Sequence, residues 1–238
     1  MGYDVSWHPI SEKQIHKWYF DVLDNRSLAD KLSVRIPDNQ LEDESQRKEF
    51  EEFYLDKYKG TLKAAKGMEG SFNSTHAYCI AVTQGFFEEF FYTRGSALSF
   101  IEDEIIFDKY ITSWDKIAPK KYLNNFEYDG LDGNYSGGVF LSPVQVGLVL
   151  EDYEKGNIKS MLETAFSHGR IDVFLKALNF AKSNKLGLLE ATEVVEPSPD
   201  FREEPDCYCN LFNCDPDGIN LFQIAAMEQI NEIMRNQE

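Results

Sequence analysis

Cys207-Tyr208-Cys209 and Cys214 gather three thiols into one short stretch of chain. Thiolates are soft ligands, and three of them with a histidine would make a tetrahedral zinc site. The spacing C-x-C-x4-C is not that of a zinc ribbon or knuckle, and no fourth ligand follows in the tail, so the metal set is read as none. Cys207 and Cys209 are read instead as alternating positions on the face of a strand. Asp215-Pro216-Asp217-Gly218 has the carboxylates and glycine of a calcium loop. The further oxygen ligands and the closing Glu of such a loop are missing, and the composition reads as a turn. Asn134-Tyr135-Ser136-Gly137-Gly138 looks like a phosphate cradle. It lacks the Lys-Ser/Thr ending of a P-loop and the G-x-G-x-x-G spacing of a dinucleotide fold, so it reads as a turn entering a short strand at 139–141. Glu88/Glu89 and Glu102/Asp103/Glu104 could serve as acid–base pairs, but neighbouring helical positions point apart, which makes them surface charge. His8 and His16 have no partners in reach of a sequence argument and are read as ordinary polar positions. No nucleophile elbow or H-E-x-x-H motif occurs, and the catalytic set is read as none.

The apolar spacing supplies the elements that would hold these groups. The most aromatic stretch runs from His76 to Trp114. Phe86 and Phe90 stand at i and i+4, as do Phe87 and Phe91, which on a helix places four rings on one broad stripe. The pattern predicts a helix capped by Ser74, running to about Arg94 and stopped by Gly95, with Glu88 and Glu89 outward. A second helix is expected from Ser96, carrying Leu98, Ile101 and Ile105, then Phe107, Tyr110, Ile111 and Trp114 after a phase shift. Part of 105–111 reads equally as a buried strand. The helical spacing makes these aromatics a core rather than a ligand groove.

Residues 2–8 alternate as a short strand with Tyr3, Val5 and Trp7 on one side. Ser11 and Gln14 form a capping-box pair, Ile10 can staple onto Ile15, and Ile15, Trp18, Tyr19, Val22 and Leu23 follow on one face. After Pro37 an acidic stretch leads into a helix expected near Ser45, with Phe50, Phe53, Tyr54 and Tyr58 inward and a negative outer face. Residues 60–73, with Gly67 and Gly70, read as a loop or a frayed helix end. Ser142-Pro143-Val144-Gln145 supplies an N-cap, an N1 proline and an N3 glutamine. That helix is expected to reach about Lys155 and stop at Gly156. A second, capped by Asn157, carries Ile158, Met161, Leu162, Ala165 and Phe166. Gly169 closes it, and a third carries Ile171, Phe174, Leu175, Leu178 and Ala181. Residues 186–195 read as a strand or a last helical turn, and 208–212 with 219–222 as a hairpin. The closing helix is expected from about Gln223, using Ile224, Met227, Ile230, Ile233 and Met234.

An apolar content of 42% supports a packed core in a chain of 238 residues. No run of about 18 apolar residues exists, so no membrane span is expected. The opening residues lack the basic and apolar regions of a secretion signal. They do match the loose myristoylation pattern, without a nearby basic cluster or second lipid site to support it. Four cysteines in such a chain do not make a disulfide framework, and the cytoplasm is the expected compartment. A formal charge of −17 repels nucleic acid and anionic membranes and favours a basic partner.

The opening Met1-Gly2-Tyr3-Asp4-Val5-Ser6, the acidity, the single-domain size and the missing catalytic motif together resemble the cytoplasmic immunity proteins that bacteria pair with polymorphic toxins. The resemblance implies a tight inhibitor that masks a toxin domain, with no cofactor. The chain is therefore expected to be α+β, helix-dominated, with a small β-sheet built from the N-terminal segment, 139–141 and the cysteine-containing tail. One domain is expected over 1–238, with a helical subdomain at 142–184. The expected function is an acidic, cytoplasmic, immunity-type inhibitor of a basic protein partner. Its contacts are expected at Glu42, Asp43, Glu44, Glu51 and Glu52, or at Glu203, Glu204 and Asp206. The alternative is a small-molecule-binding protein or enzyme built on the glycine-rich turn 134–138.

Overall fold

Strand β1, Asp4–Ile10, is buried along its whole length, and every other element is arranged around it. The structure, a computed structural model, describes residues 3–38, 40–41, 43–66, 72–101, 107–123, 138–198 and 206–235. On one side β1 pairs antiparallel with β2, Phe91–Arg94, setting Val5 opposite Thr93. On the other side it pairs antiparallel with β4, Gly187–Thr192, setting Trp7 opposite Glu190. The two-residue β3, Phe140–Leu141, pairs with the far side of β4, giving the order β2-β1-β4-β3.

Strand alternation sorts side chains to two apolar layers. Val5, Trp7, Phe91, Leu141 and Leu188 point to one, and Ile10, Tyr92, Phe140, Leu189 and Ala191 to the other. The first layer is covered by α5 (Pro143–Glu154), α6 (Lys159–Ala165) and α7 (Arg170–Ser183). The second is covered by α1 (Glu12–Ile15), α2 (Asp21–Asp24), α3 (Glu44–Ala65) and α4 (Ser74–Phe87). The protein is a helix-dominated α+β fold with a small antiparallel sheet.

Both capping boxes form, at Ser11–Gln14 and at Ser142–Gln145. Between α1 and α2 the helix widens into a π-helical turn, His16–Phe20. The extra residue in that turn changes the phase, and Trp18, Tyr19 and Phe20 are all buried, one ring more than the regular stripe predicts. Helix α3 is capped by Asp43 and continues through Gly60, where a loop or a frayed end was expected, because Leu62 and Ala65 are buried in the last turns. Phe53, expected inward, is 52% exposed, with the Lys57 ammonium 5.2 Å from its ring.

The aromatic stretch departs most from expectation. Asn73, not Ser74, caps α4, accepting from the backbone N–H groups of Thr75 and His76. The helix stops at Phe87 rather than near Arg94, and Glu88 is extended. Phe90 then bridges to Cys214, and Phe91 opens β2. In a strand Phe90 and Phe91 point to opposite layers, and each is buried in a different one. One helical stripe could not have served both. In place of the second helix come 3-10 turns at Leu98–Phe100 and Asp108–Tyr110; Ile105 lies outside the described residues. Ile158, not Asn157, stands at the α6 N-cap; the Asn157 amide donates to Asp152 Oδ1 at 2.7 Å.

The cysteine-containing tail does not join the main sheet. β5, Val195–Glu196, and β6, Asp206–Cys207, form a separate two-stranded sheet. The expected hairpin of 208–212 with 219–222 is absent: Leu211–Asn213 is a 3-10 turn, and α8 runs over Pro216–Arg235. Asp215 Oδ1 accepts the Asp217 N–H at 3.2 Å, so Asp-Pro acts as a helix start, with proline where its missing N–H does no harm.

Candidate interaction surface

Helix α8 is held at its first turns. The Asp215 N–H donates to Phe90 O at 2.8 Å, and Lys176 of α7 forms ion pairs with Asp215 and Asp217. Gly218 lies directly on the backbone of Tyr92 in β2. Beyond this anchorage the helix stays amphipathic, and its apolar side is left exposed. Ile224, Met227, Ile230, Ile233 and Met234 are between 40% and 54% exposed, at spacings that keep them along one side. Isolated exposed apolar residues are ordinary; five large ones on one helix form a patch of the kind that marks contact with another molecule.

A groove of about 610 Å³ runs beside this patch, between α8, the end of β2 and the start of α7. Arg94 and Arg170 are the two cationic residues that line it. Arg94 is engaged: its Nη1 donates to both carboxylate oxygens of Asp4 at 2.8 and 2.9 Å, and its guanidinium stacks on Phe222 at 4.7 Å. Arg170 forms no ion pair among the described residues and reaches only Ser96 Oγ, at 3.5 Å. Burial and the Arg94 guanidinium both disfavour its charge.

The expected acidic contacts fall as follows. Asp43 is the α3 N-cap, its Oδ1 accepting from Ser45 N–H at 2.7 Å. Glu44 and Glu52 are exposed, and Glu51 is half-buried. Arg47 turns away from this face, donating to Ile36 O and Leu41 O and pairing with Asp38, which leaves the α3 face more negative than composition implies. Glu42, Glu203 and Glu204 lie outside the described residues. Asp206 is exposed on β6 and lines one cavity with Lys57 of α3, while Phe50 and Tyr54 of α3 pack on Phe212. Asp206 therefore lies beside Lys57 of α3, on a tail whose Phe212 packs on that helix.

The remaining candidates are structural where they are described. Residues 134–137 of the glycine-rich turn lie outside the described residues; Gly138 is buried, its carbonyl accepting from Trp114 Nε1 at 3.0 Å. Glu88 and Glu89, expected outward, are half-buried just past the end of α4. Burial raises the Glu88 pKa and Arg35, paired with Glu89 at 3.7 Å, opposes that shift. Glu102, Asp103 and Glu104 are outside the described residues.

His8, expected as an ordinary polar position, sits at the centre of a buried polar chain. Its Nε2 is 2.8 Å from Ser6 Oγ and its Nδ1 2.7 Å from Gln84 Oε1. That is the order of a nucleophile, a base and an orienting group. All three side chains are sealed in the interior, so the chain pins β1 to α4 and offers a substrate no approach. Glu190 is a second buried polar group, accepting from Leu98 N–H at 2.6 Å and Ser99 Oγ–H at 2.6 Å. Sequence reasoning missed it because a lone Glu in an apolar strand carries no pattern. Among the described residues no group of three or more His, Cys, Asp or Glu is arranged to hold a metal ion, and no helix is long and apolar enough to cross a membrane.

No family model, curated protein or solved structure matches the chain.

Proposed function

We propose that this protein works by binding another protein, as an acidic, cytoplasmic, immunity-type inhibitor that covers a basic partner. The observation that carries the reading is the uncovered apolar side of α8, which invites a macromolecular surface rather than a substrate. The acidic face of α3, with Glu44, Glu51 and Glu52, supplies long-range attraction for a basic partner, and α8 supplies the buried contact. The charge of −17 favours the same partner chemistry.

The test is capture of a partner from the native cell at low and at high salt, followed by kinetics with two variants. Ile233→Glu with Met234→Glu should weaken the complex at least about tenfold through faster dissociation. Those two side chains are more than half exposed, so the stability of the free protein should change by no more than about 0.5 kcal/mol. Reversing Glu44, Glu51 and Glu52 to Lys should slow association about tenfold, an effect that vanishes at high salt. Capture of a basic protein that is indifferent to all of these changes would overturn the reading.

The groove beside α8 favours a second reading. A largely apolar lining that includes Arg170, which has no ion pair among the described residues, suits a small amphipathic anion. Binding of a medium-chain carboxylate that is abolished by Arg170→Ala, with no protein partner found, would favour this alternative.

A further inference from the structure

Three features converge on the β5–β6 hairpin. Cys207 closes β6, and its partly exposed side chain lines a cavity of about 480 Å³ with Lys57, Glu196, Asp206 and Tyr208. Cys209 lies behind it, buried, with the two Sγ atoms 3.4 Å apart. The backbone between them is pinned by Tyr208 N–H donating to Val194 O at 3.0 Å. Cys209 fits there because residue 85 of α4 is glycine: a Cβ at Gly85 would stand 2.5 Å from the Cys209 Sγ. Cys207 therefore borders the cavity, and the second thiol stands within 3.4 Å of its sulfur.

We propose that Cys207 and Cys209 form a thiol–disulfide exchange site whose substrates are small disulfides. The Cys207 thiolate attacks one sulfur of a disulfide RSSR, forming a mixed disulfide and expelling RS⁻. Cys209 then gives up its proton to solvent and attacks the Cys207 sulfur, expelling the second RS⁻. The chain ends with a Cys207–Cys209 bond, two electrons and two protons poorer, and RSSR has become two RSH. The sulfurs need only close from 3.4 Å to the bonded distance of about 2.0 Å.

The roles are ordered by environment. The hydrogen bond from Cys209 lowers the Cys207 pKa, burial opposes that shift and Lys57 adds to it, so Cys207 is the thiol that ionises more readily. Burial raises the pKa of Cys209 and of Cys214, which keeps the resolving thiol protonated until the mixed disulfide forms. Glu196 and Asp206 at the cavity mouth select against anionic disulfides. Cationic cystamine should therefore react faster than glutathione disulfide.

The test uses the reduced full chain, incubated near neutral pH with cystamine or with glutathione disulfide, then alkylated and mapped by mass. The expected product has lost two hydrogens, both from Cys207 and Cys209. Cys209→Ser, and Cys209→Ala as a second variant against misfolding, should stop at a cysteamine adduct on Cys207. Cys207→Ser should react about tenfold more slowly than the parent chain. A parent chain that keeps cysteamine without losing the two hydrogens would overturn the proposal. So would reaction at Cys79 or Cys214 as fast as at Cys207, in protein whose near-ultraviolet circular dichroism is native.

Discussion

Gly218 of α8 and the carbonyl oxygen of Tyr92 in β2 meet at a distance that admits no side chain: a Cβ at residue 218 would stand 1.7 Å from that oxygen. The helix owes its seat on the sheet edge to this contact. Gly218→Ala should cost about 3 kcal/mol or more, because a strand backbone cannot yield as a side-chain tip would. Denaturant unfolding would show a lower midpoint, and amide exchange would show α8 losing protection before β1. An unchanged midpoint would place the helix elsewhere.

Glu190 makes stability fall as pH rises. Burial pushes its pKa up to about 7, against the bonds from Ser99 and Leu98, from an ordinary value of 4.5. Neutral Glu190 therefore contributes its full stability below about 4.5, and this is lost as pH rises through about 7. Glu190→Gln mimics the neutral form, with its carbonyl toward Leu98 N–H and its amide toward Ser99 Oγ. The variant should match the parent near pH 4.5 and exceed it by up to about 3 kcal/mol above pH 8. Urea unfolding at the two pH values checks this, and a difference independent of pH would refute it.

His8 acts in the opposite sense. Burial lowers its pKa from 6.5 to about 4, the Gln84 bond working the other way. The unfolded chain gains the proton near 6.5 while the folded one resists until about 4, so this contribution is complete above 6.5 and drains away between the two values. Nuclear magnetic resonance of the histidine rings should show His8 neutral at pH 5.5, and a midpoint near the ordinary value would mean that the interior admits water. Because His8 and Glu190 lean in opposite directions over the same range, the parent chain should show a shallow pH dependence there and the Gln variant a steep one.

Much of the helical grammar was legible in the sequence. Both capping boxes formed, and the stripes of Ile15–Leu23 type and of Ile171, Phe174, Leu178 and Ala181 are in or against the core. What failed was local signal overruled by remote pairing. Phe90 and Phe91 have helical spacing relative to Phe86 and Phe87, yet β1, some eighty residues earlier, draws Phe91 into a strand. The Asp215-Pro216 step reads locally as a turn, yet it has the same helix-starting chemistry as Ser142-Pro143. The spacing of Cys207 and Cys209 suits one strand face; β6 ends at Cys207, and the chain beyond it bends so that the two sulfurs lie 3.4 Å apart. The α8 residues were named correctly as a periodic set, but spacing says which residues share a side, not whether anything covers them.

The pairing of Ser6 with Ala191, 185 residues apart in sequence, sets a clock on biosynthesis. The two inner strands of the sheet cannot meet until nearly the whole span between them has been made. At about 5–20 residues per second, β1 waits on the order of 10–40 s beside the ribosome for β4. Until then β2 can guard only one of its edges, and an unguarded edge pairs with whatever strand is near. The strand carries Asp4, Ser6 and His8 among its apolar residues, and those polar groups keep it wettable during the delay. For a newly made chain, the earliest moment at which the sheet can be completed is therefore set by translation through β4.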